Sequence, residues 1–285
     1  MTRHTALDGP PDLRRIYATA VLRRGSSSEE LPDVEVSRSG VHVAVPDLVA
    51  YSRVCGFTVD GILPPTYPHR LAFPLQMVVM SGDRFPLPLL GAVHLENTIT
   101  AVRPVRVDEE LDVSVHAADL RPHRRGRQVD LVSEARVAGE LVWRGVSTYL
   151  SRGTEHPEAV VSEPPSLAPL DAVTSGPLWR LGEGTGRAYA SVSGDWNPIH
   201  VHALTARPLG FPTAIAHGMY SYARVLASLG PKLPRAGLLS SVWFRKPVRL
   251  PSTVRLRTAF DDASTLSVLE SAKGDVEHAV VRNTW

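Results

Sequence analysis

The sequence holds one cysteine, Cys55, in 285 residues. No disulfide can form within the chain, and a reducing compartment is expected. Lysine is nearly absent, occurring only at Lys232, Lys246 and Lys273, so arginine carries almost all the positive charge. No charge of either sign dominates. The 31 Lys and Arg against 29 Asp and Glu give a formal net charge of +2, which leaves no general case for binding nucleic acid or a membrane surface. No apolar run approaches the ~20 residues of a membrane span. The opening Met1-Thr-Arg-His-Thr-Ala-Leu-Asp-Gly-Pro-Pro lacks the apolar core of a secretory signal. A cytoplasmic location is expected. The chain does have a hydrophobic content of 43%, enough over this length for one large core or two modest ones.

Proline is plentiful and uneven. Residues 151–177, rich in proline and serine, read as a linker between residues 1–150 and residues 178–285. The flanking pieces share two short matches in the same order. Tyr51-Ser-Arg-Val-Cys-Gly-Phe57 aligns with Tyr189-Ala-Ser-Val-Ser-Gly-Asp195, and Pro104-Val-Arg-Val107 aligns with Pro247-Val-Arg-Leu250. The offsets of 138 and 143 differ as a short insertion would make them, and a duplicated domain is expected. Apolar periodicity predicts a helix over Ala214–Leu229, ended by Gly230-Pro231, and a shorter one over Leu71–Met80. Period-two strands are predicted near 91–102, 111–120, 128–137 and 141–150 in the first half, and at 238–245, 253–260, 265–272 and from 277 in the second. A helix followed by an antiparallel meander, twice over, is an α+β pattern.

The densest chemistry lies in Ser193-Gly-Asp-Trp-Asn-Pro-Ile-His200. Pro198 rules out a helix through the middle, so Asp195, Asn197 and His200 are expected in a turn or loop, where several polar groups can converge. A carboxylate and a neutral imidazole suit a pair that holds a water, takes one proton and delivers another. Asn197 can orient such a pair without titrating. Ile215-Ala-His-Gly-Met219 falls in the first turn of the predicted helix. Amides there lack intrahelical partners and sit at the positive end of the dipole, so the Gly218 N–H is a candidate donor to an oxyanion.

Tyr189, Ser193-Gly-Asp195, Asn197-Pro-Ile-His200, Gly210-Phe211 and His217-Gly-Met219 together resemble the signature of the MaoC-like (R)-specific enoyl-thioester hydratases and dehydratases. With two repeats, the chain resembles their double hot-dog members, including 3-hydroxyacyl-thioester dehydratases. The resemblance implies the hot-dog fold, Asp195 and His200 as catalytic pair, Gly218 as oxyanion donor, and Ser193, Asn197 and His217 beside the substrate. Many members carry an acid where this chain has His202, which puts fine substrate tuning in question. The first half reads as a degenerate copy. Phe57 replaces Asp195, Pro74-Leu-Gln-Met77 stands in place of the H-G-M segment, and one active site per chain is expected, with apolar room in the first half for a longer acyl tail.

The remaining signals are weaker. His200-x-His202 with His217 has the look of a metal site, but Pro198 breaks the strand geometry and no metal is expected. Gly182-Glu-Gly-Thr-Gly186 has no nucleotide-loop context and reads as a turn. Arg121–Arg127 is a basic cluster at a hairpin tip, and Arg245 and Arg249 could bind phosphate near the active half. Trp179, Trp196, Trp243 and Phe244 are expected in the core or channel lining. No cofactor is expected beyond the CoA or phosphopantetheine that carries the substrate, and an acyl carrier protein is a candidate partner. The assembly is expected to be a monomer or a dimer of double hot-dogs. The alternatives are a non-catalytic acyl-thioester-binding subunit and a hot-dog thioesterase.

Overall fold

The computed structural model describes residues 2–20, 28–89, 91–166 and 173–285. In the first half, β1 (Arg3–Ala6), α1 (Leu13–Ala20), β2 (Val34–Val41) and α2 (Val45–Cys55) lead to the long helix α3 (Tyr67–Met80). A meander follows: β3 (Val93–Ala101), β4 (Leu111–His123), β5 (Gly126–Val137) and β6 (Glu140–Arg152). The second half runs β7 (Val173–Leu181), α4 (Thr185–Ser193), the short helices α5 (Pro198–Val201) and α6 (Ala203–Ala206), then α7 (Gly218–Leu229). It ends in β8 (Leu238–Phe244), β9 (Ser252–Asp261), β10 (Ser264–Ser271) and β11 (Glu277–Thr284).

All the described strands form one sheet in the order β1-β2-β4-β5-β6-β3-β8-β11-β10-β9-β7. The halves join where β3 pairs antiparallel with β8, from Glu96↔Trp243 to Ala101↔Leu238. Outward from that seam the order is the same on both sides, since β6, β5, β4 and β2 correspond to β11, β10, β9 and β7. Inward residues alternate along these strands, as at Leu111, Val113 and Val115, and they close on α3 and α7 in one continuous core.

The two sequence matches occupy equivalent places. α2 and α4 each end on a left-handed glycine, Gly56 at φ 88° and Gly194 at φ 79°, a conformation that glycine adopts without steric cost. Arg106 and Arg249 each make an isolated antiparallel bridge, to Ile62 and Ile215 respectively. That pairing corrects one alignment. The counterpart of the segment entering α7 is Leu63–Thr66, ahead of α3, whereas Pro74–Met77 lies inside α3.

Other expectations shift at their edges. α7 begins at Gly218 rather than Ala214, because Ile215 and Ala216 donate their amides to Ile199 O and Val248 O and so stay extended. α3 starts a turn early, with Pro68 in its first turn where a missing N–H costs nothing. Strand β6 reaches Arg152 and β7 opens at Val173, so the segment between strands is narrower than 151–177, and residues 167–172 lie outside the described ones. Pro177 obscures β7 in the sequence. It sits at a register shift between Ser175 and Leu178 on an edge strand, a position that tolerates proline. His200 is not in open loop: Pro198 starts the one-turn helix α5 that carries it.

Candidate active site

The signature stretch folds by a ladder of local bonds. The Asp195 N–H donates to Ser193 Oγ at 3.2 Å, the Asn197 N–H to Asp195 Oδ1 at 3.1 Å, and the Ile199 N–H to Asn197 Oδ1 at 3.3 Å. Each short polar side chain caps the amide two residues on, so the chain bends tightly and still satisfies its own donors. Ser193 and Asn197 therefore shape the bend, and both also line the cavity described below.

His200 enters from α5. Its Nδ1–H donates to Ile215 O at 2.8 Å, which leaves Nε2 with its lone pair. Burial lowers its pKa, opposed by the nearby Asp195 charge and the Ile215 bond. The position of α5 depends on Gly186, since a Cβ there would run into the His200 backbone carbonyl. Gly182 and Gly184 lie outside α4, in the turn before it.

His217 caps α7 and stacks on His200, with ring centroids 3.7 Å apart. Its Nε2–H donates to the Asp195 backbone carbonyl at 2.9 Å, which ties the helix start to the bend. Burial drives its pKa down to about 3, so it puts no second positive charge beside His200. Gly218 follows as the first residue of α7. A Cβ there would fall 2.9 Å from Cε1 of Phe244, so the glycine makes room for that ring against the helix start.

Asp195, His200 and His217 have ligand atoms within 4.8 Å of one another. The two rings are stacked with planes 27° apart, and each has one nitrogen committed to a backbone carbonyl, His200 Nδ1 to Ile215 O and His217 Nε2 to Asp195 O. His202 lies apart. Exposed, it accepts from the Leu204 N–H as the cap of α6.

A cavity of about 530 Å³ opens over this group, between the two halves. The first half contributes much of its wall. His69, Phe73, Met77 and Met80, spaced to share one face of α3, line it together with His94 and Tyr149. His94 stacks on Tyr149 at 4.6 Å and faces His69 at 6.1 Å. Nδ1 of His69 and Nε2 of His94 are buried without a hydrogen-bond partner. The wall thus carries polar rings beside the apolar side chains of Phe73, Met77 and Met80. Tyr17, on α1, donates to Asp195 Oδ1 at 3.1 Å. Neither Tyr17 nor the two histidines had a signal in the sequence, since each acts across the seam with no local pattern.

At one rim, the ends of β6 and β8 and the start of β11 bring Arg152, Arg245, Lys246 and His278 together. Arg245 faces Glu163 at 3.5 Å, and the hairpin turn at Arg124-Arg125 adjoins the rim through Gly126↔Arg152. Arg249 is exposed and outside the cavity lining; its part here is the backbone bridge to Ile215. Phe244 lines the cavity, Trp179 is buried, and Trp196 is 40% exposed rather than in the core.

The buried imidazoles have a consequence for stability. His69, His94 and His217 have pKa values lowered by burial to about 4, about 3 and about 3, from 6.5. On acidification the unfolded chain takes up protons at these sites before the folded one does. Their contribution is therefore present above about pH 6.5 and is lost progressively as pH falls toward their folded values. Urea denaturation at about pH 7 and about pH 5 is expected to give a lower unfolding free energy at pH 5 by more than about 1 kcal/mol.

The family profile described as MaoC like domain matches residues 159–281. The chain is 38% identical over 252 residues to 3-hydroxyacyl-thioester dehydratase X of Mycobacterium tuberculosis, covering 87% of this chain and 88% of that protein. It is 42% identical over 69 residues to the (R)-specific enoyl-CoA hydratase of Rhodospirillum rubrum, covering 23% and 48%. The crystal structure of HtdX of Mycobacterium tuberculosis superposes with a TM-score of 0.75 at 35% identity, over 87% of this chain and 98% of that one. Another Mycobacterium tuberculosis protein, described as having a double hot-dog fold, superposes with a TM-score of 0.58 at 12% identity over 93% and 96%, a likeness of fold alone.

Proposed function

The chain belongs to the family of MaoC-like dehydratases, double hot-dog hydro-lyases acting on acyl thioesters, and from that premise we propose that Asp195 and His200 perform (R)-specific hydration of trans-2-enoyl thioesters and the reverse dehydration. The observation that carries this reading is the free Nε2 of His200 beside the Asp195 carboxylate under the start of α7, in a cavity of about 530 Å³. In hydration, one proton of a water held by the pair is withdrawn as its oxygen bonds to the β carbon. The pair delivers a proton to the α carbon on the same face, so addition is syn. Charge that builds on the thioester oxygen is met by the Gly218 N–H, a donor worth ~3 kcal/mol in such a site. His200 and Asp195 act as a coupled couple. No cofactor enters this scheme beyond the CoA or phosphopantetheine that carries the substrate.

The basic rim suits the phosphates of either carrier. Arg245, Lys246 and Arg152 border the opening, and Arg124 and Arg125 extend the positive surface. Reversing both hairpin arginines to glutamate is expected to raise KM for substrate on an acidic carrier protein severalfold and to flatten its salt dependence, with KM for a CoA thioester changed less. Steady-state kinetics at two ionic strengths check this. A cytoplasmic location is part of the same reading, supported by the single cysteine, which suits a reducing compartment. No helix among the described residues is long and apolar enough to cross a membrane.

The deciding experiment follows the enoyl-thioester absorbance with short, medium and long acyl-CoAs while titrating free thiol. Loss of absorbance without thiol release supports the hydratase. Thiol release points to a thioesterase, and no turnover to a binding subunit.

A further inference from the structure

Asp195 is held partly by its own neighbours and partly from the far end of the chain. Asp195 Oδ1 accepts from the Asn197 N–H and from Tyr17 OH, each at 3.1 Å. Two donors on one oxygen leave Oδ2 as the free oxygen, 3.8 Å from His217 Nε2. Met77 Sδ lies 3.8 Å from the same hydroxyl, a weaker acceptor for its single proton than the carboxylate. Helix α1, which carries Tyr17, packs Leu13 and Ile16 against the core, and Leu13 lies close to Gly194 at the corner of the signature bend. The ladder of β1 on β2 anchors the segment before it. Tyr17 also lines the cavity.

We propose that Tyr17 is a positioning residue for the hydration reaction: its hydroxyl fixes the Asp195 carboxylate so that Oδ2 faces the water and the α carbon. This rests on the assignment of Asp195 made above. The groups around the carboxylate agree. His200 on α5, His217 at the head of α7 and His69 on α3 are held neutral by burial, so no imidazolium competes for the charge. Tyr149 on β6 and Tyr189 on α4 are buried phenols kept protonated by desolvation. Arg70, at the cavity wall, is engaged by Val192 O, Tyr67 OH and Asp47. Burial, and then the charge of Asp195 itself, raise the Tyr17 phenol far above its ordinary range, so it stays a donor at every working pH.

The test is Tyr17→Phe, which removes one oxygen and keeps the ring. kcat is expected to fall about tenfold or more, the scale of one hydrogen bond to a charged group. KM is expected to stay within about twofold, because the hydroxyl bonds the carboxylate and serves proton transfer rather than binding. In an Asp195→Asn background the same change is expected to alter residual kcat by less than about twofold, because the hydroxyl acts through the carboxylate. An unchanged kcat, or a loss that adds in full to that of Asp195→Asn, would overturn the proposal. A wild-type chain inactive on enoyl and 3-hydroxyacyl thioesters would overturn the functional reading and this proposal with it.

Discussion

Asp195→Asn is expected to lower kcat for enoyl-thioester hydration by at least about a hundredfold, and His200→Ala to do the same, as removal of a general acid or base does. Asparagine is the cleaner substitution. Its carbonyl oxygen can still accept from Tyr17 OH and the Asn197 N–H, so the bend keeps its bonds and only proton transfer is lost. KM should therefore stay within a few-fold, the signature of a group used in the transition state. Alanine at 200 also removes a buried ring stacked on His217 and leaves Ile215 O without its donor, so some stability goes with the activity. The absorbance assay reads both variants. An Asp195→Asn enzyme that retained a tenth of wild-type kcat would remove the carboxylate from the mechanism.

Gly186→Ala is expected to damage activity without touching the cavity. The new methyl would meet the carbonyl, carbonyl carbon and Cα of His200, all backbone atoms that cannot swing aside. α4 and α5 must separate, at a cost of about 1–3 kcal/mol for an overpacked contact. The His200 ring moves with its backbone, and a misplacement of about 1 Å in a catalytic group costs up to about a hundredfold in rate. Gly184→Ala is the control. Its Cβ would meet only the end of the Arg187 side chain at 3.9 Å, and its φ of −76° suits alanine. Urea denaturation and the hydration assay together separate the two. If Gly186→Ala matched Gly184→Ala in both, the close approach of α4 to α5 would not be what positions His200.

The elements that sequence periodicity found are those whose burial alternates regularly, such as β4 and β9. Those it missed had other causes. β7 is broken by Pro177 at a bulge, and α2 is a short helix whose apolar residues form no clean stripe. Apolar periodicity starts α7 four residues early, because Ile215 and Ala216 read as helix formers while their amides are taken by Ile199 and Val248. No local propensity reveals a bond to a residue brought in by another loop.

By itself the sequence determined the duplicated α+β plan and the bend that presents Asp195, because the bonds shaping that bend run between residues two apart and travel with the stretch. Only the tertiary structure decided what faces the bend: Tyr17 on one carboxylate oxygen, Phe244 in the space left by Gly218, and the imidazoles of the first half on the opposite wall. Those partners are fixed by the seam between β3 and β8 and by the packing of α1. Contacts set by how two halves close on a shared core leave no periodic trace in either half.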